Sequence, residues 1–184
     1  MAKKRAIGAI IKIDGEGAFR SSIKNCRTSL SALRASLKNV QSSYAGNANS
    51  LEALSAVQEK YAQMQTTAKA QVEKMSTAYE KSREAQTKTK ETMLQMLEAY
   101  QTAEEALKEM KSSGTASADA IKEQQEATDK AYRAYQDYAE QVEKCGSRTA
   151  YFQKALEEAK GAEREAGIQV DRYAEYIKEA KDSA

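Results

Sequence analysis

The sequence predicts an all-α protein of long coiled-coil or extended helices, with one short β-strand ahead of them. Three observations carry that expectation. No proline occurs in 184 residues, so the strongest interruption of a helical backbone is missing. Ala, Glu, Lys, Gln and Leu dominate after residue 50, and these side chains lose little freedom on becoming helical. Apolar residues return every three or four positions over most of the chain, with 30% of residues charged, the mix of a long helix or coiled coil. The aromatic content, 10 Tyr and 2 Phe, suits a half-exposed seam in which rings are buried and hydroxyls stay wet.

The strand comes first. Ile7, Ala9, Ile11 and Ile13 alternate with Gly8, Ile10, Lys12 and Asp14, a period of two over about 6–13 that ends at Asp14-Gly15. A lone strand needs a partner strand from another copy or another protein. The alternative is a disordered basic arm. Residues 1–15 are thus expected to be a basic arm whose Ile7, Ala9, Ile11 and Ile13 form a docking edge.

The sharpest pattern follows at 16–45. Phe19, Ile23, Cys26, Leu30, Leu33, Leu37, Val40 and Tyr44 are spaced alternately four and three apart. That unbroken 3.5-residue repeat is the mark of a left-handed coiled-coil seam, here expected to be an oligomer seam. The same stripe could instead pack on a neighbouring helix of its own chain, and periodicity does not separate the two. Arg20, Lys24, Arg27, Arg34 and Lys38 flank the seam, so the surface it meets is expected to be polar or acidic.

Ala45 to Asn49 interrupt the pattern, and Asn49 with Glu52 suggests a capping box for the next helix. Residues 50–184 are expected to form extended or hairpin helices broken near 112–117 and 146–149. Leu51, Leu54, Val57, Tyr61, Met64, Ala68, Val72, Met75 and Tyr79 share one side. From Ser82 to Thr92 the chain is nearly all polar, and no tight seam is expected there. Apolar spacing returns with Met93, Leu97, Tyr100, Ala103, Leu107 and Met110. Ser112-Ser113-Gly114-Thr115 reads as a loop. A third helix with Ile121, Thr128, Tyr132, Tyr135, Ala139 and Val142 is expected to end at Cys145-Gly146, where Gly can take a left-handed cap. A fourth then starts at Ser147 or Thr149 and carries Phe152, Leu156, Ala159, Ala166, Val170, Tyr173, Ile177 and Ala180. The chain stops without a terminating domain, as if continuing in a longer polypeptide.

Charge is uneven. Residues 1–50 hold nine basic groups against Asp14 and Glu16, while 51–184 hold 20 basic and 25 acidic groups. The basic head could face an acidic surface, but its cations alternate with seam residues and its aromatics belong to the seam, which argues against nucleic acid. With no His, ordinary Ser-His and Cys-His dyads and imidazole metal ligands are excluded. Glu104/Glu105 and Glu157/Glu158 sit side by side at different angles around a helix, as solvated faces do. Asp14-Gly15-Glu16-Gly17 lacks the spacing and the Lys-Ser/Thr of a phosphate loop. Cys26 reads as a small buried hydrophobe and Cys145 as the more exposed thiol. The expectation is a non-enzymatic protein made in a reducing cytoplasm, with no cofactor, metal site or small-molecule substrate.

The run Ile7 to Glu16, then Phe19, Asn25-Cys26 and Ser29 to Leu33, resembles the start of tape measure proteins of tailed phages infecting Gram-positive bacteria. Gly46 to Leu54 is similar to that family's first interhelical signature, and Ser112 to Ser117 sits where its members often have a second break. The resemblance covers about residues 6–56. It implies a virion protein in the tail lumen, in several parallel copies with trimers favoured. Such a protein sets tail length, leaves before the DNA, and contacts tail tube, baseplate hub or neck proteins. The family's members are normally much longer. Two other expectations stand beside it: a free-standing helical-hairpin scaffold or secreted partner-binding module, and a basic-headed nucleic-acid binder.

Overall fold

The computed structural model describes residues 15–183. Three α-helices make up nearly all of them: α1 (Glu16–Ser43), α2 (Leu51–Ser113) and α3 (Ala118–Asp182), of 28, 63 and 65 residues. The all-α expectation holds. No strand occurs among the described residues; the segment expected to be one, with Ile7, Ala9, Ile11 and Ile13, lies outside them.

α1 starts where Gly15 takes a left-handed φ of +82°, a conformation that costs an L side chain about 1 kcal/mol or more. Its carbonyl accepts the Phe19 N–H at 2.9 Å, and the Glu16 carboxylate in the first turn accepts from Arg20 at 2.9 Å. The helix stops at Ser43, two residues before the expected 45, with Tyr44 N–H still donating to the Val40 carbonyl.

The cap of α2 falls one residue later than expected. Ser50, not Asn49, holds the position: its hydroxyl accepts the Ala53 N–H at 3.1 Å while its carbonyl accepts Leu54 N–H. A serine hydroxyl satisfies a first-turn donor as well as an asparagine does.

The break at 112–117 is present. Gly114 lies at φ +66°, and Ser117 caps α3 by accepting the Ala120 N–H at 3.2 Å. The break at 146–149 is not. α3 runs without interruption from Ala118 to Asp182, so the expected third and fourth helices are one. Glycine in a helix interior costs about 1 kcal/mol, and packing outweighs it here. Val142, Cys145, Thr149 and Phe152 carry the seven-residue spacing straight through Gly146, where a Cβ would stand 3.4 Å from the Gln86 side chain.

The chain divides into two compact units. One joins α1, residues 51–80 of α2 and residues 151–182 of α3 as a three-helix bundle. The other joins residues 81–113 and 118–150 as a two-helix hairpin around the Gly114 turn.

Candidate interaction surface

In the three-helix unit the α1 stripe is the face that packs. Ile23, Leu30 and Leu37 are buried, and Phe19, Cys26, Leu33, Val40 and Tyr44 are half-buried. Leu30 and Leu37 enter one core with Val57, Met64 and Ala68 of α2 and Ala166 of α3. A side chain such as Ile23, 1% exposed, contributes about 1.5–3 kcal/mol by leaving water. The stripe expected to join copies is therefore covered by the chain's own helices. A seam between copies through these residues requires α1 to leave α2 and α3.

The start of α1 is fixed by an aromatic and cationic cluster on α3. Phe152 is fully buried and meets Phe19 edge-on, with ring centroids 6.3 Å apart. The Arg20 guanidinium lies 4.6 Å from the Tyr151 centroid and 5.9 Å from that of Phe152, within the range of cation–π attraction. One heptad further, Arg27 pairs with Glu158. One acidic group for the basic flank of α1, Glu158, is thus supplied by the chain itself. Cys26 donates to the Thr67 carbonyl at 3.6 Å; burial pushes its thiol pKa up, and Lys74 pulls it the other way. Burial also raises the Tyr61 hydroxyl, with Tyr173, stacked 5.7 Å away, and Glu165 adding to the effect.

The hairpin unit is built differently. Ser82 and Thr149 are buried and share a hydrogen bond of 2.9 Å. Thr89 lies 3.7 Å from the sulfur of Cys145. Thr128 is buried and donates to the carbonyls of Ala103 and Gln124. Gln141 is buried too, its carbonyl oxygen without a hydrogen-bond partner among the described residues. Ser82 and Thr89 continue the spacing of Met75, so the polar stretch from Ser82 to Thr92, where no tight seam was expected, does hold a seam of small hydroxylic side chains. Cys145, expected to be exposed at a helix end, is 3% exposed inside α3. The Tyr100 hydroxyl donates to Glu104 at 3.1 Å, which raises its pKa.

One open trough of about 500 Å³ marks the surface of this unit, lined by Gln95, Glu98, Ala99, Thr102, Ala103 and Ala106 of α2 and by Gln124 of α3. Gln124 spans it, donating to the Ala103 carbonyl at 3.0 Å. Ala99 and Thr102 are exposed. The trough was missed in sequence because alanine on a helix does not reveal what lies over it. Among the described residues no group of His, Cys, Asp and Glu is placed to hold a metal ion, and no described helix is long and apolar enough to cross a membrane. No family model, curated protein or solved structure matches the chain.

Proposed function

We propose that the chain is a structural segment of a tape measure protein, working in the tail lumen as one of several parallel copies. The observation that supports this most is the seven-residue spacing of inward positions. It runs from Leu54 to Met110 on α2 and from Ile121 to Ala180 on α3, as left-handed coiled-coil packing requires. Such helices convert chain length to distance at about 1.5 Å per residue. The resemblance over residues 6–56 points the same way, and the 6–13 strand is the proposed attachment to a neighbouring tail component. Since the α1 stripe is covered within the chain, copies would meet through other surfaces.

The fold-back at Gly114 favours a second reading, a free-standing helical-hairpin scaffold. One experiment separates the two. Residues 89–102 and 129–142 are removed together from the gene, two heptads from each arm, and tail length is read by electron microscopy. Tails shorter by about 40 Å mean that both arms lie drawn out, and by about 20 Å that the hairpin persists while measuring. Tails of normal length, or particles lacking the protein, overturn the tape measure reading and leave the scaffold.

A further inference from the structure

The two units present related faces. A shift of five heptads, 35 residues forward on α2 and 35 backward on α3, carries the surface that holds α1 onto the hairpin unit. Met64 maps to Ala99, Thr67 to Thr102, Ala68 to Ala103, Ala159 to Gln124 and Glu158 to Glu123. The first member of each pair is buried in, or borders, the surface that packs against its neighbours. Met64 and Ala68 pack with Leu30 and Leu37, the Thr67 carbonyl accepts from Cys26, and Glu158 pairs with Arg27. Ala99, Thr102, Ala103 and Gln124 instead line the open trough, with Glu123 next to Gln124 in sequence.

Charge says what kind of helix fits. α1 carries Arg20, Lys24, Arg27, Arg34 and Lys38 against Glu16. Residues 91–140 carry 11 acidic and five basic groups, a net charge of −6. The trough-bearing part of the hairpin unit thus repeats both the register and the charge sign that receive a basic helix, and among the described residues of this unit none fills the place.

We propose that the trough is the docking groove for one basic amphipathic helix of a partner protein, laid against α2 and α3 as α1 is laid in the other unit. Ala99 leaves room where Met64 fills space in the other unit, and Ala106 where Gln71 does, so the partner's apolar ridge carries bulkier side chains than α1 does. The proposal is independent of the tape measure reading, because it concerns a surface whose occupancy is measured on the purified chain.

The probe is a fluorescent peptide of sequence 16–43 added to the full chain. The tethered α1 keeps its own site at high effective concentration, so the peptide meets the trough. The expected result is saturable binding that weakens several-fold between about 50 mM and about 300 mM salt. It weakens at least about tenfold with Ala99→Lys plus Ala106→Lys, which place cations in the groove floor against a basic helix. Glu98→Lys plus Glu123→Lys, which leaves the floor intact, should weaken it as well and decides the matter if the first pair lowers helicity. Absence of binding at about millimolar peptide, or binding untouched by both pairs, overturns the proposal. So does peptide that displaces α1 and makes Cys26 quick to alkylate, or self-association of the chain that blocks the peptide.

Discussion

Along residues 51–80 and 151–182, the two long helices bury Met75, Ala78, Phe152, Leu156 and Ala159, each 6% exposed or less. Along 81–113 and 118–150 the same helices bury Ser82, Thr89, Thr128, Gln141 and Thr149, with Leu107 and Cys145 as the buried apolar side chains. The difference is a third helix. With α1 in place the interior is closed on three sides, and large apolar groups gain the full transfer free energy. Among the described residues the other unit has two helices, which share a narrow seam where threonine hydroxyls serve because each donates to a carbonyl four residues back. Thr89 does so to Ala85, Thr128 to Gln124 and Thr149 to Cys145. A long helix thus changes its core chemistry midway according to what covers it.

The comparison can be broken hardest at Phe152. Phe152→Ala empties the junction of Phe19, Arg20 and α3, and should cost about 3–5 kcal/mol, read by chemical denaturation. A cost below about 1 kcal/mol would mean that α1 is not held there. A middle-sized effect sharpens the other side. Thr149→Val leaves the Ser82 hydroxyl without its partner and should cost about 1–2 kcal/mol, whereas Ser82→Ala with Thr149→Val should be near neutral. If the double variant is the worse of the two, the hydroxyl pair contributes more than its own satisfaction. The smallest effect belongs to Arg27→Ala. Its pair with Glu158 is exposed at both ends, so denaturation should register a loss of about 0–1 kcal/mol that fades with added salt.

How much of this was legible in sequence follows from the same comparison. Seven of the eight residues from Phe19 to Tyr44 fall on the packing face of α1 and Tyr44 caps its end, because a 3.5-residue repeat with cations between its members admits one orientation. What the face packs against was not legible, since apolar periodicity is identical for a neighbour in the chain and a neighbour in another copy. Ser112 to Thr115 announced the turn through a glycine among short hydroxylic residues. Gly146 beside Ser147 suggested another, and the contrary signal was Cys145 and Thr149, which join Val142 to Phe152 in register. The polar run from Ser82 hid a seam because hydroxyl side chains are counted as surface, although Ser82 and Thr89 stand one and two heptads after Met75. The expected strand at 6–13 falls outside the described residues.

The Gly114 turn also orders the assembly of the chain in time. Contacts across the antiparallel arms lie 14 residues apart for Lys111 and Gln125, 25 for Ala103 and Thr128, and 67 for Ser82 and Thr149. They reach 112 for Gln58 and Val170, and the pair that joins α1 to α3, Arg27 and Glu158, lies 131 apart. Closing the widest loops first sacrifices the most chain entropy, so pairing proceeds outward from the turn like a zip. The weakly bonded polar seam therefore forms before the apolar core that outlasts it. Changes near the turn should govern how fast the chain folds, while changes around Phe152 govern how slowly it comes apart.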